Sequence, residues 1–253
     1  MGASHVAGMQ QQPAMSLPVL KGVVFDLDGV IVDSHPAHRF AWKEFMRILG
    51  KEVTDCQLDF VMDGRKREDI LIHFLGPLSE AQLEHYGKMK NALFWQAAYD
   101  MSPIPGAFEF IECLYRAGVT LAVATSASTG RSHSILTRTG LLSCFRAVVT
   151  GDEVRKGKPD PAIYRLACQR IHCSPNAAVA IEDAASGIRA AKDAGMKCVG
   201  VAGHNSGDHL IAAGADCVLE DFVNVSLSDF HSLVGMQPFS RNGEHENQRR
   251  VSL

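Results

Sequence analysis

Long apolar runs are missing from this chain of 253 residues, and no stretch reaches the roughly twenty residues that a membrane helix needs. An excess of one charge is missing too. Twenty-five Lys and Arg against 28 Asp and Glu leave a net charge of −3, which gives nucleic acid or an anionic lipid surface no electrostatic hold. There is no CxxC, no HExxH and no Cys/His cluster. The seven cysteines, at 56, 113, 144, 168, 173, 198 and 217, are scattered and odd in number, as reduced core thiols would be, and nothing suggests zinc. The opening MGASHVAGMQQQPAMSLP lacks the basic region and apolar core of a secretory signal, and Val6 stands where a myristoylation signal has Ser or Thr. A P-loop is excluded, because five residues rather than four separate Gly151 from Gly157-Lys158 and Pro159 follows. These absences lead to the expectation of a cytoplasmic protein, a monomer or weak homo-oligomer, with neither a nucleic-acid nor a membrane partner.

What is present is an ordinary globular mixture, 46% apolar and 21% charged, long enough for one or two domains with a sizeable core. Residues 1–18 and 236–253 are small and polar and read as disordered extensions. Between them the texture changes once. A strand, GVVFD from Gly22, is followed by three helical patterns with no strand among them: 38–49, 67–75 and 79–99, the last opening at a possible N-cap, Ser79. The segment SPIPG from Ser102 breaks the pattern. After it, short apolar strands (119–125, 146–151, 177–183, 197–203, 216–220) alternate with helices (107–118, 134–142, 161–171, 184–195, 208–213). That alternation predicts an α/β fold, a doubly wound and mostly parallel sheet built from 19–35 and 103–235, with 36–102 inserted as a helical cap.

In an open parallel sheet, ligands sit beyond the carboxyl ends of the strands. Four such ends carry polar groups here. The first strand delivers Asp26 and Asp28, the second Thr125 and Ser126, and the fourth Glu182 and Asp183; Lys156 and Lys158 follow the third. Residues two apart on an extended chain project the same way, so Asp26 and Asp28 can address one phosphorus together. One carboxylate can attack and form an aspartyl phosphate; the other can protonate the leaving oxygen and then activate the second nucleophile. Two carboxylates would repel a phosphate, and a hard cation such as Mg²⁺ removes that repulsion. A calcium loop is a poorer reading of DLDG, since the remaining loop ligands are missing. Thr125 can donate to a phosphate oxygen, and the Ser126 and Ala127 amides stand at a strand-to-helix junction, a ready anion site; alone, the same residues would make a plain N-cap. Lys158 offers a point charge to the phosphate, while Lys156 reads as a solvated surface lysine.

These motifs, DLDGV, LAVATSAS, GKPDP and IEDAASGI, occur in the order and at spacings that resemble the haloacid dehalogenase superfamily, over residues 20 to 235. The resemblance implies that Asp26 is the nucleophile and Asp28 the acid/base. It implies that the Asp26 carboxylate, the Asp28 backbone carbonyl and Asp183, with Glu182 beside it, hold Mg²⁺, and that Thr125 and Lys158 bind phosphate. The insert is similar to the small helical cap of the β-phosphoglucomutase-like branch, which places His38 near the catalytic acid and Arg67 and Lys90 on the substrate. Arg67 and Lys90 fit helix-surface charge equally well, His38 fits a half-buried packing role, and Trp42 and Trp95 read as packing. The expected function is a Mg²⁺-dependent phosphatase of a small phosphorylated metabolite, a sugar phosphate. The alternatives are a mutase of that branch and a non-catalytic binding protein on the same fold. Ser34 to Ala37 and the stretch after Gly200 differ from the mutase pattern and favour the phosphatase.

Overall fold

The computed structural model describes residues 19–237, so the expected extensions, apart from Met236 and Gln237, lie outside the described residues. Six strands form one parallel sheet in the order β3-β2-β1-β4-β5-β6. They are β1 (Gly22–Phe25), β2 (Thr120–Thr125), β3 (Ala147–Thr150), β4 (Ala178–Glu182), β5 (Lys197–Val201) and β6 (Cys217–Leu219). The chain winds outward one way from β1 through β2 and β3, then crosses back to β4 and winds the other way. The order therefore reverses between β1 and β4, where such sheets open a crevice at their carboxyl ends. Register sets what stands there. Phe25 pairs with Val123 on one side and Ile181 on the other, and Asp26 continues the ladder with its amide on the Ile181 carbonyl at 2.9 Å.

Strand residues alternate between two buried faces. Val23, Phe25, Val123 and Ile181 pack beneath α5 (Ala107–Arg116), α6 (Thr129–Arg138) and α10 (Leu227–Val234). Val24, Ala122, Ala124 and Ala180 pack beneath α7 (Ala162–Arg170), α8 (Ala185–Asp193) and α9 (Gly207–Ala212). This two-sided burial explains why the strands read as continuous apolar runs rather than as alternating ones. All seven cysteines are unpaired.

The insert after β1 holds four α-helices where three were expected: α1 (His35–Ile48), α2 (Asp55–Met62), α3 (Arg67–Leu75) and α4 (Glu80–Ala97). They enclose a separate apolar cluster around Trp42, Phe45, Leu58 and Leu71. Helix α2 has only eight residues, too few for an apolar period to repeat, and buries Leu58 and Val61. Its one sequence signal is a capping box, in which Thr54 accepts from the Gln57 amide and Gln57 answers on the Thr54 amide. Ser79 caps α4 in the same way with Gln82. Two helix starts moved by three residues or more. Helix α1 starts at His35, three residues earlier than the pattern indicated, and α6 starts at Thr129, five residues earlier. Helix α10 was not foreseen; it lays Phe230 and Val234 on the sheet. Met236, placed in the tail by the sequence, is 3% exposed and belongs to the core, and Gln237 bridges to Val19.

Candidate active site

Asp26 ends β1 at the switch point and is 4% exposed. Lys158 reaches it from the loop after β3, with Nζ 3.0 Å from Asp26 Oδ1. The same ammonium donates to Glu182 Oε1 at 2.5 Å and to the Ala124 carbonyl at 3.1 Å. Its three donors thus tie together the ends of β1, β2 and β4. Tyr164 of α7 adds a hydroxyl donor to the same Glu182 oxygen at 2.5 Å. Burial pushes the Asp26 carboxyl up to about 7 even against the pull of Lys158. Burial likewise raises Glu182. It works to lower Lys158, but the carboxylates of Asp26 and Glu182 outweigh it and leave the ammonium held more firmly than usual.

Asp28 sits two residues on in a different environment. Burial would raise it, yet the Arg131 guanidinium holds it well below the usual carboxylate range, helped by His38. Arg131 grips both oxygens, at 2.8 and 2.7 Å, and the Ser34 hydroxyl donates to Oδ1 at 2.6 Å. Arg131 also reaches His38 Nε2 at 2.8 Å. On the other side of the ring, His38 Nδ1 lies 2.7 Å from Lys90 Nζ, and the ring's tautomer sets which atom donates. Burial and Arg131 both push Lys90 well below its ordinary range. Burial, Lys90 and Arg131 together push His38 down to about 3.

Asp183 follows β4 and is 3% exposed. His35 Nε2 makes a 3.0 Å ion-pair contact with its Oδ2, and that buried oxygen has no other partner among the described residues. Carboxylate oxygens of Asp26, Glu182 and Asp183 lie within 4.8 Å of one another. Gly29, at φ +76, lets the chain turn beside them; a Cβ there would stand 2.0 Å from Asp183 Oδ2. An all-oxygen donor set, one buried oxygen of which meets only His35 among the described residues, fits a hard divalent cation. Glu182 is the weakest of the three candidate ligands, because Oε1 is already engaged by Lys158 and Tyr164.

The pocket lies between these strand ends and the cap. Asp26, Asp28, Ser126 and Ala127 line its floor; His38, Arg65, Arg67 and Lys90 line its roof. Thr125 and Lys158 are buried just below the floor. The Ala127 amide donates to Thr125 Oγ1 at 3.1 Å, and the Ser126 hydroxyl donates to the carbonyl of Gly64 in the cap at 2.6 Å. Lys90 is 3% exposed, which removes the surface-charge reading. Arg67 pairs with Glu68 at 2.6 Å while its Nε stays unpartnered. Trp42 packs in the cap core as expected, and Lys156 is exposed.

Sequence reasoning missed Arg131, His35 and Tyr164. Arg131 fell in the segment read as loop because α6 was started too late; Thr129 at the helix start would have placed it one turn from the end of β2. No local signal marks the other two, which reach the site through packing.

An α/β sheet with paired acids, a lysine and a hydroxyl at adjoining strand ends, roofed by a helical insert, defines a class of aspartate-centred phosphoryl-transfer folds. The family model for haloacid dehalogenase-like hydrolases matches residues 23–201, and the chain belongs to that family. A phosphorylated carbohydrates phosphatase of Thermotoga maritima is 32% identical over 214 residues, 81% of this chain and 98% of its own length. A beta-phosphoglucomutase of Bacillus subtilis is 32% identical over 226 residues, 84% of this chain and 94% of its own. The crystal structure of CbbY from Rhodobacter sphaeroides in complex with phosphate matches with a TM-score of 0.74 at 28% identity, covering 83% of this chain and 99% of that one.

Proposed function

We propose that this protein is a Mg²⁺-dependent phosphatase of a small phosphorylated metabolite, a sugar phosphate, acting through an aspartyl phosphate on Asp26. The observation that carries the reading is Asp26 itself: a buried carboxylate at the switch point, on the pocket floor, held by Lys158 at 3.0 Å. The relatives that act on phosphorylated carbohydrates support the substrate class.

An Asp26 oxygen attacks the phosphorus, and the bond to the sugar oxygen breaks. Lys158 steadies negative charge on the attacking carboxylate, and Thr125 and the Ser126 amide supply donors to phosphate oxygens. Asp26, Asp183 and the Asp28 carbonyl, with Glu182 beside them, are the residues that would hold the cation, which neutralises the acidic cluster and lets a dianionic phosphate approach. Asp28 delivers a proton to the leaving oxygen, which requires the Arg131 fork to move off its carboxylate. In the second half Asp28 takes a proton from the water that attacks the phosphoaspartate, and this too requires the Arg131 fork to loosen, because a carboxylate held this far down is a weak base.

A mutase uses the same first half and differs in what attacks next. A sugar hydroxyl held by the cap must outcompete water at about 55 M, which demands strong orientation. The test supplies a panel of sugar phosphates with Mg²⁺ and measures released phosphate. It includes β-glucose 1-phosphate with a trace of the 1,6-bisphosphate. Stoichiometric phosphate from at least one substrate is expected. Rapid glucose 6-phosphate with little free phosphate would replace this reading with the mutase.

A further inference from the structure

Helix α8 begins two residues after Asp183, and its N-cap position is Ala184, whose side chain accepts nothing. The first-turn amide of Ser186 nonetheless has an acceptor. It donates to Asp63 Oδ1 at 2.9 Å, and the Ser186 hydroxyl donates to the Asp63 backbone oxygen. Asp63 belongs to the helical cap, immediately after α2. Accepting the second amide of a helix is the task usually done by a Ser, Thr, Asp or Asn at the helix's own N-cap. Here an aspartate brings it from across the pocket. Asp63 Oδ2 faces Arg65 at 3.2 Å and Arg189 at 3.7 Å. The loop that carries it is anchored at the other strand ends as well, by Ser126 on the Gly64 carbonyl at 2.6 Å and by Lys66 on the Val154 carbonyl at 3.0 Å.

The first turn of α8 presses on the chemical groups below it. A Cβ at Gly187 would lie 2.0 Å from Glu182 Oε1, so the backbone of this turn rests directly on the carboxylate. Glu182 holds Lys158, and Lys158 holds Asp26. A chain of direct contacts thus runs from the cap through Ser186 and Gly187 to Asp26.

We propose that Asp63 is a positioning residue: it is the N-cap that α8 lacks, supplied by the helical cap, so that docking of the cap completes this turn and seats Glu182 and Asp183. The catalytic half of this inference rests on the phosphatase reading; the helix-capping half does not.

The test compares Asp63→Ala and Asp63→Asn in the full chain. Asparagine keeps a side-chain oxygen for the Ser186 amide but loses the charge that pairs with Arg65 and Arg189. In the alanine variant the Ser186 amide should exchange with solvent about tenfold faster. Its kcat on p-nitrophenyl phosphate should fall by about the same factor with KM little changed, and asparagine should restore most of both. Unchanged Ser186 exchange in the alanine variant would overturn the proposal. So would an asparagine variant as impaired as alanine, which assigns the effect to the ion pairs. A loss confined to sugar phosphates, with p-nitrophenyl phosphate spared, would assign Asp63 to holding Arg65 and overturn it too. If alanine does not fold, the asparagine variant decides alone: near wild-type exchange and turnover support the proposal, and loss of either sinks it. A wild type without phosphatase activity would remove the proposed function, and the exchange measurement would still decide the capping.

Discussion

On the sheet side of the pocket, Asp26, Thr125, Lys158 and Glu182 are each at most 4% exposed; Lys158 bonds both Asp26 and Glu182, and Thr125 Oγ1 accepts from the Ala127 amide. On the cap side, the Arg65 and Arg67 side chains are 28% and 24% exposed, and each keeps a guanidinium Nε without a partner among the described residues. A closed network fixes geometry and costs no rearrangement when charge develops, which is what a conserved chemical step on phosphate requires. The part-exposed guanidinium ends on the roof are the groups that can meet the rest of a substrate. On the proposed function, this division puts the chemistry on the sheet and the selection on the cap. His38, Lys90 and Arg131 are the exception, because they bring the closed kind of network up to the roof and end it on Asp28.

Breaking the sheet-side network should cost most. Lys158→Ala leaves two buried carboxylates facing each other. Turnover is expected to fall by about 10² to 10³, and thermal unfolding should show a loss of about 3 kcal/mol. A variant within a few-fold of wild type in turnover would break the comparison at its strongest point.

Next in size is an effect of pH on stability at the roof. His38 is held near 3 against an ordinary 6.5 by burial, Lys90 and Arg131, with Asp28 pulling the other way. Below 6.5 and above about 3 the folded chain therefore binds fewer protons at this ring than the unfolded chain does. Stability from this site is complete above 6.5 and is lost as pH falls. From pH 7 to about pH 5 the loss is about 2 kcal/mol. Denaturant melts without metal should show His38→Asn losing less stability than wild type on this acidification. Parallel pH profiles would show that His38 is not held neutral.

The smallest effect belongs to the roof arginines. Arg67→Ala should weaken good sugar-phosphate substrates by about tenfold in kcat/KM, about 1.4 kcal/mol, and spare p-nitrophenyl phosphate. Equal losses on both would make Arg67 structural and blur the division between the two walls.

The sheet side was also the legible side. Asp26, Asp28, Thr125, Glu182 and Asp183 stand at or just after strand ends, and parallel-sheet register converts those sequence positions into neighbours without any knowledge of side-chain packing; Lys158, eight residues beyond β3, was legible only through the GKPDP motif. The cap side was legible only as helix, because its geometry depends on how four amphipathic helices pack. Lys90 shows the consequence: its position in α4 fits a solvated face as well as a buried one, and burial against His38 decides it. Arg131 was lost to a helix boundary, and α2 to its length of eight residues, too short for the pattern to repeat. Asp63 could not have been found by any local rule, since the helix it caps lies 123 residues further on.

The central claim is that Asp26 takes the phosphoryl group. Trapping with Mg²⁺ and fluoroberyllate, read in a crystal, or acid quenching during turnover, read by peptide mass spectrometry, tests it directly. The account predicts one adduct, on the Asp26 carboxylate, absent in Asp26→Asn. An adduct on Asp28 or any other residue, or undiminished turnover in Asp26→Asn, would contradict it.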